Sequence, residues 1–168
     1  MKHIEVLAPA GNLEKLEIAY LYGADAVYVG GKEFSLRAKA GNFSLEELKQ
    51  ARAIASRLGK KLYVALNIFP HNQDLEGIGS YLASLDEIGV DAMIISDPGV
   101  IWLAKQHAPN TPIHLSTQAN TQNWAACAFW QEQGLERVVL GREVSMKEIS
   151  QISRHTDVEI EAFVHGAM

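Results

Sequence analysis

The chain is poor in the features that most readily identify a function class. Its 168 residues include one cysteine, so no internal disulfide is expected, and the cytoplasm is the predicted compartment. Apolar runs are strand-sized, so we expect no membrane span, and no signal peptide precedes the first predicted strand. The net charge of −5 disfavours a surface that binds nucleic acid by charge alone.

Several catalytic and binding motifs are also missing. There is no Gly-x-Gly-x-x-Gly opening a helix after the first strand, no Walker loop, no His-Glu-x-x-His and no Gly-x-Ser-x-Gly. His71, His114 and His165 come from alternate strands, but His114 is predicted at the opposite rim, so no metal site is expected. Cys127 lies mid-helix among apolar residues, which predicts a small buried side chain rather than a nucleophile.

What the sequence does contain is a repeated junction of glycine, an acidic residue and an apolar strand. It occurs at residues 23–30, 89–95 and 134–141. Glycine suits the left-handed position that ends a helix, and a continuous apolar run suits a parallel strand buried on both faces. The spacing of these glycines indicates βα units of about 22 residues, as in a (β/α) barrel.

Local patterns define seven strands and six helices. Capping boxes at Ser44 and Ser145, and the pair Asp97-Pro98, indicate where three of the helices begin. We therefore predict one domain, residues 1–168, forming an incomplete TIM-type (β/α) barrel of seven parallel strands with the eighth missing, the N-terminal part of a longer protein. Predicted strands span 4–8, 26–30, 62–69, 92–96, 113–117, 138–141 and 158–164; predicted helices span 13–22, 45–58, 75–88, 99–107, 122–133 and 146–154.

Polar side chains gather where these strands end. In a βα barrel the active site lies at the C-terminal ends of the strands, so these side chains are the candidate site. Amide and guanidinium groups would hold substrate oxygens, and His165 or Glu143 could move a proton. The loop 31–43 is the one local basic segment, since Lys32, Arg37 and Lys39 outnumber Glu33. The predicted ligand-binding residues are Arg37, Asn67, Gln118, Asn120 and Arg142.

Each candidate also has a structural interpretation. Asn12, Asp97 and Asn120 suit helix caps, and Arg142 and Glu143 suit surface ion pairs. In the last strand Glu159, Glu161, Phe163 and His165 alternate onto one side. If that side faces the interior, Glu161 is a buried carboxylate that needs a partner, and His165 is either functional or a core histidine.

Seven motifs at the strand ends are similar to those of the collagenase-like peptidase family, peptidase family U32. The chain resembles this family from end to end, and most of all the branch that hydroxylates uridine in tRNA. The motifs are Leu7-Ala8-Pro9-Ala10-Gly11, residues 23–30, Ser35-Leu36-Arg37, residues 67–72, Ser96-Asp97-Pro98-Gly99, residues 113–120 and residues 161–167.

The resemblance implies more than one activity. The family is described as peptidases or collagenases, but several members are iron–sulfur proteins that hydroxylate RNA or a quinone precursor. The branch that this chain resembles makes 5-hydroxyuridine in tRNA with prephenate, so tRNA and prephenate are the expected partners of the full-length protein. His165, Glu161 and Glu143 are then the expected catalytic residues.

The resemblance also places a cofactor outside this chain. The family pattern continues after His165-Gly166-Ala167 with an apolar residue and then a cysteine of the cluster, whereas Met168 is the last residue here. We expect a 4Fe-4S cluster in the full-length protein, none in this chain, and no catalysis by the chain alone.

Two further interpretations remain. One is a collagenase-like hydrolase, for which Ser96, Ser116 or Thr117 would need a distant histidine, although no spacing supports a triad. The other is a noncatalytic ligand-binding segment. Because a missing strand leaves sheet edges unpaired, a homodimer through the exposed barrel edges is also expected.

Overall fold

The computed structural model describes residues 4–34 and 42–166 of the chain. Within these ranges strands and helices alternate regularly, and no helix there has both the length and the apolar character needed to cross a membrane. The strands are β1 (Leu7–Pro9), β2 (Ala26–Gly30), β3 (Lys61–Leu66), β4 (Ala92–Ile95), β5 (Ile113–Leu115), β6 (Arg137–Val139) and β7 (Glu159–Glu161); the helices are α1 (Leu13–Leu21), α2 (Leu45–Leu58), α3 (Ile78–Ile88), α4 (Pro98–His107), α5 (Trp124–Glu132) and α6 (Met146–Ile152), with a 3-10 helix at Thr117–Ala119.

The seven strands form one parallel sheet in sequential order from β1 to β7. The sheet is curled as a half-barrel, which confirms the prediction of seven parallel strands in a barrel that lacks its eighth. β1 and β7 lie at the two ends, and on their outer sides no strand pairs with them among the described residues. Several strands are shorter than the pattern predicts: β3 ends at Leu66 rather than at 69, and β7 ends at Glu161 rather than at 164.

The two faces of the sheet are packed differently. The outer face, covered by the helices, carries a large buried cluster that includes Leu62, Met93 and Leu115. The inner face carries a small cluster built largely of short side chains, with Tyr63 and Ile94 as its bulkier members. Most of the hydrophobic stabilisation therefore comes from helix-on-sheet packing, and the inside of the curl keeps room for polar groups.

The repeated glycine-and-acid junction has a structural reason for both of its residues. Gly89 adopts φ 72° and ends α3 with its N–H bound to carbonyls of the last turn. Asp91 accepts a hydrogen bond at 2.8 Å from the backbone N–H of Leu62, at the start of the neighbouring strand. Asp25 does the same for Val6, at 3.0 Å. Asp25 and Asp91 thus each accept a hydrogen bond from a backbone N–H near the start of a neighbouring strand. Such an N–H would otherwise lack a partner where the strand pairing begins.

Three predicted helix starts are confirmed to the residue, whereas α3 begins at Ile78 rather than at 75, α4 at Pro98 rather than at 99 and α5 at Trp124 rather than at 122. Both capping boxes form, Ser44 with Glu47 and Ser145 with Glu148, and Asp97 caps α4. Asn12 caps α1 through its side chain. Asn120 does not cap α5; it adopts φ 53° after the 3-10 helix, and Asn123 caps α5 instead. The chain therefore makes an extra turn between β5 and α5, which places more polar residues at the rim.

Candidate functional site

The ends of β6 and β7 bring together an arginine and an aromatic ring at the rim. Arg142 follows β6, and the Cζ atom of its guanidinium lies 4.0 Å from the centroid of the Phe163 ring. A Cβ built on Gly166 would lie 2.9 Å from Nη1 of Arg142, so the guanidinium rests against the backbone just after His165. Arg142 and His165 are both exposed. The predicted binding residue Arg142 thus stands beside the segment that carries the predicted catalytic residue His165.

The residues after β5 form a second polar group. Ser116 accepts from the backbone N–H of Gln118 at 3.5 Å, which begins the 3-10 helix. The Ser96 hydroxyl, at the end of β4, donates to Oε1 of Gln118 at 3.4 Å. The Thr117 hydroxyl donates at 3.1 Å to the carbonyl of Leu140, on the chain that leads to Arg142. Side-chain hydrogen bonds therefore connect the ends of β4, β5 and β6.

Gln122 lies close to both Asn120 and Glu143, next to Gly141. Asn120 Oδ1 accepts from Nε2 of Gln122 at 2.6 Å. A Cβ on Gly141 would lie 2.9 Å from Oε2 of Glu143 and 3.3 Å from Cγ of Gln122, so only glycine leaves room for both side chains. The Gly141 N–H donates to the Thr121 carbonyl at 3.0 Å. This places the predicted residues Asn120 and Glu143 on either side of Gln122.

Asn67 and Arg37 cannot be assigned to either group in the same detail. Asn67 follows β3 and is half-buried, and it interacts with at least one other residue. Arg37 lies outside the described residues. The stem of its loop is described: Gly31 pairs with Phe43 in a parallel bridge, and Lys32 forms an ion pair with Glu47 at 3.2 Å.

Tyr81 packs under that stem. A Cβ on Gly31 would come 1.9 Å from the Tyr81 hydroxyl oxygen, and the Tyr81 and Phe34 ring centroids are 5.4 Å apart. The hydroxyl is buried and has no hydrogen-bond partner within residues 4–34 and 42–166. Gly31 is thus fixed by close approach, which a single sequence does not reveal.

The inside of the curl holds a charged cluster that sequence reasoning missed. We name it the Arg137 cluster, and it consists of Arg137, Glu5, Glu159, Glu161, Tyr63 and Lys61. Arg137 is buried, with its side chain 10% exposed. Its guanidinium contacts Glu5 at 2.6 Å, Glu159 at 2.7 Å and Glu161 at 3.5 Å. Glu161 is therefore the half-buried inward carboxylate that the strand pattern indicated, and Arg137 is its partner.

Two hydrogen bonds complete the cluster on the opposite side. The Tyr63 hydroxyl donates to Oε1 of Glu5 at 2.8 Å, and Lys61 Nζ donates to Oε2 of the same carboxylate at 2.7 Å. The signal that could have found Arg137 is its position as an arginine that opens a buried strand, because such a charge requires carboxylates nearby.

The carboxyl groups of the cluster respond to it in opposite directions. Burial raises the pKa of Glu5, but hydrogen bonds from Arg137, Lys61 and Tyr63 outweigh it and lower that pKa to about 2. The pKa of Glu161 is raised, since burial outweighs the more distant Arg137. Glu5 is thus a fixed anion, whereas Glu161 is the carboxyl group of the cluster most suited to exchanging a proton.

No serine and histidine form a nucleophile–base pair in the described part of the chain. His114 is buried, with its ring edge-on to Tyr63 at 4.8 Å, and its Nδ1 has no hydrogen-bond partner within the described ranges. Burial lowers the pKa of His114 to about 3, so its ring is neutral and a poor base. Ser96 and Ser116 bond to Gln118 rather than to a histidine. This arrangement does not provide the activated nucleophile that a serine peptidase needs.

The described residues do not suit an iron–sulfur cluster. Such clusters are usually held by four thiolates, whereas the chain has one cysteine, Cys127, which is fully buried in the outer core. Burial also raises the pKa of its thiol, which disfavours the thiolate form. Within residues 4–34 and 42–166, no three His, Cys, Asp or Glu side chains are grouped as metal ligands would be.

Comparisons with known proteins place this site in a family. The chain is 50% identical over 167 residues to tRNA hydroxylation protein P1 of Bacillus subtilis and 50% identical over 165 residues to tRNA hydroxylation protein P of Escherichia coli. The alignments cover 99% and 98% of this chain, but the chain spans only 40% and 36% of the lengths of these relatives.

A solved structure and a family model agree with these matches. The U32 peptidase Mk0906 superposes with a TM-score of 0.78 at 13% identity, over 95% of this chain and 68% of that one, which shows a shared fold. The model of peptidase family U32 matches residues 11–168. This chain, with its half-barrel and polar rim, belongs to peptidase family U32.

Proposed function

We propose that this chain is the barrel segment of an RNA-hydroxylating member of family U32, acting on uridine in tRNA with prephenate as the small-molecule partner. Two relatives that share half of its residues are named for tRNA hydroxylation. The observation that carries the proposal is Arg142, an exposed guanidinium stacked on Phe163 at the C-terminal rim. A guanidinium fixed by an aromatic ring is suited to bidentate binding of a carboxylate, and prephenate has two.

In this proposal the rim residues have three different roles: binding carboxylates, binding neutral polar groups and transferring a proton. Arg142 binds one carboxylate of prephenate, and Arg37 of the basic loop 31–43 is the candidate to bind the other. Asn67, Gln118 and Asn120 hold neutral oxygens and amides of the ligand or the base. Glu161, Glu143 and His165 are the candidates to hold or move a proton, and Glu161 is favoured by its raised pKa.

Oxidation of a pyrimidine needs a redox group that these side chains do not supply. We propose that the 4Fe-4S cluster implied by the resemblance is held by cysteines that follow Met168 in the longer protein, which acts in the cytoplasm. This chain then contributes binding and orientation. The alternative of a collagenase-like hydrolase is less well supported, because Ser96 and Ser116 have no histidine partner in the described part of the chain.

The decisive test uses the complete gene product that contains this chain, expressed in cells whose tRNA otherwise lacks 5-hydroxyuridine. Arg142→Ala should abolish 5-hydroxyuridine, measured by mass spectrometry of digested tRNA. Because Arg142 is exposed, its loss should change the free energy of unfolding by less than about 0.5 kcal/mol. Arg154→Ala is the matched control. Arg154 is also exposed, but it follows the helix α6, whereas Arg142 follows the C-terminal end of a strand. Unchanged tRNA modification in Arg142→Ala would remove Arg142 from the site.

A second test addresses the hydrolase alternative with the isolated chain. The chain should neither cleave collagen peptides nor bind iron and sulfide in stoichiometric amounts. Cleavage that is lost in Ser116→Ala or His165→Ala would restore the peptidase interpretation.

The homodimer remains part of the proposal. Ile4 and Val164 flank the ends of the sheet and are 82% and 94% exposed, which suits a contact between two copies. Sedimentation of the purified chain tests it, and a monomer at high concentration would contradict it.

A further inference from the structure

β7 is the element of the candidate site with the weakest backbone support. It has three residues and pairs only with β6 among the described strands. Yet the chain that leaves it carries Phe163 and Gly166, which lie against Arg142. A short edge strand opens readily unless side chains hold it, so something other than the ladder must fix these residues.

The Arg137 cluster supplies that support. Arg137 Nε and Nη2 donate to Oε2 of Glu159 at 3.0 and 2.7 Å, and Nη1 contacts Glu161 at 3.5 Å. Arg137 and Glu159 are also partners in the strand register. Glu161, which is half-buried, and Glu159, which is exposed, are thus both bound by one side chain from the adjacent strand.

The other end of the cluster lies on the far side of the open sheet. Arg137 Nη1 donates to Glu5, two residues before β1, and Glu5 is held in turn by Tyr63 and Lys61 of β3. The Arg137 cluster therefore connects β7 to β3 and to the segment before β1 across the inside of the curl. In the described residues no backbone pairing joins the two ends of the sheet there. The cluster contains three carboxylates and two cations, and ion pairs between them link its members.

We propose that Arg137 is a positioning residue: it fixes β7 against β1 and β3, and thereby places Phe163 and Gly166 where they hold the guanidinium of Arg142. Arg137 itself touches no ligand in this role. A planar guanidinium is required, because Nε and Nη2 bind Glu159 side by side while Nη1 reaches Glu5 and Glu161. The effect on ligand binding rests on the proposed function, whereas the effect on β7 does not.

Hydrogen exchange on the chain tests the local effect. In Arg137→Met, amide exchange in residues 158–166 should rise about tenfold or more and should not depend on low concentrations of urea, because β7 then opens while β3 stays folded. Arg137→Lys should rescue this only in part, because an ammonium cannot span all three carboxylates. Arg52→Met is the matched control: Arg52 is also a bonded arginine, with contacts to Gly89, Ser56 and Asp91, but it lies on the helical face.

Prephenate affinity, measured on the same variants by NMR titration where each is folded, tests the consequence for the site. We expect at least tenfold weaker binding in Arg137→Met and unchanged binding in Arg52→Met. Exchange in 158–166 that is unchanged, or that depends on urea as strongly as exchange in β3 does, would overturn the positioning role, as would unchanged affinity. If the wild-type chain does not bind prephenate, the proposed ligand is wrong, and the exchange data alone decide the role of Arg137.

Discussion

Arg137 Nη1 lies 2.6 Å from Glu5 Oε1, although 132 positions separate the two residues along the chain. This contact joins the segment before the first strand to the sixth strand of a sheet whose ends do not pair in the described residues. Because Arg137 is buried and binds three carboxylates, its removal leaves those carboxylates with Lys61 as the one remaining cation of the cluster.

We therefore expect Arg137→Met to lower the free energy of unfolding by about 3–5 kcal/mol, as breaking a buried ion pair from one side does. Urea denaturation at neutral pH measures this. The double variant Arg137→Met/Glu5→Gln should recover part of the loss, since it removes one of the uncompensated charges. A loss that is no larger in Arg137→Met than in a change of an exposed arginine would show that the cluster contributes little.

Acid should weaken the fold in part through Glu5. The pKa of Glu5 is lowered from 4.5 to about 2 in the folded chain, so its ionised form stabilises the fold. This contribution is complete above the usual pKa and is lost as the pH falls from about 4.5 towards 2. Glu5→Gln removes it, so the stability gap between wild type and variant should narrow over that range.

A variant of Glu47 is needed as a control in the acid-stability experiment on Glu5. Hydrogen bonds from Ser44 and Lys32 lower its pKa to about 2 as well, so its capping box titrates in the same pH range. Glu47→Gln should leave the narrowing caused by Glu5 intact. A gap between wild type and Glu5→Gln that stays constant with pH would contradict the assignment.

Gly31→Ala should destabilise the fold by about 1–3 kcal/mol, because the new methyl group would overlap the hydroxyl of Tyr81. Tyr81→Phe removes that oxygen, which has no hydrogen-bond partner in the described residues, so by itself it should be neutral or stabilising. In a double-mutant cycle by thermal unfolding, Gly31→Ala/Tyr81→Phe should lose less stability than Gly31→Ala. Additive effects would show that the two residues do not interact.

Gly166→Ala should weaken prephenate binding by displacing Arg142, whose Nη1 would lie 2.9 Å from the new Cβ. Backbone strain is a second effect, since Gly166 has φ 132°. Gly134→Ala controls for strain, because Gly134 has φ 76° but no heavy atom within 4 Å of a Cβ there. Equal affinities of the two variants by NMR titration would argue against contact between Gly166 and Arg142.

Cys127 should react with a thiol reagent only when the chain unfolds. It is the one thiol of the sequence, it is fully buried, and burial raises its pKa. The labelling rate should therefore increase across variants in step with their loss of stability. Rapid labelling of the native wild-type chain would mean that the packing of α5 opens locally.

Much of the fold could be predicted from local chemistry. The junction glycines and the capping boxes act over a few residues, and each was predicted at the correct position, whereas the junction acids Asp25 and Asp91 bond the start of a neighbouring strand. Strand ends were less predictable, since residues such as Phe69 and Val164 are apolar but follow the last paired residue of their strands. Pairing depends on the neighbouring strand, which a local pattern does not contain.

The candidate site was predictable in position but not in its contacts. Period-two alternation placed Glu161 on one side of its strand but left open whether that side faces the interior. Arg142, Gln118 and Asn120 were selected because they follow the C-terminal ends of strands. The identity of their neighbours came only from the structure: Phe163 under Arg142, Ser96 beside Gln118, and Gln122 between Asn120 and Glu143. The roles of these residues in binding or catalysis remain predictions.

The sequence by itself determined the order of elements, the parallel sheet and the edge where the polar residues gather, because those follow from periodicity, capping and the fixed handedness of βα units. Only the tertiary structure decided that Glu5 and Arg137 meet and that Tyr81 requires glycine at position 31. Such contacts depend on the curvature of the whole sheet, which brings distant residues within hydrogen-bonding distance and leaves no trace in the local pattern.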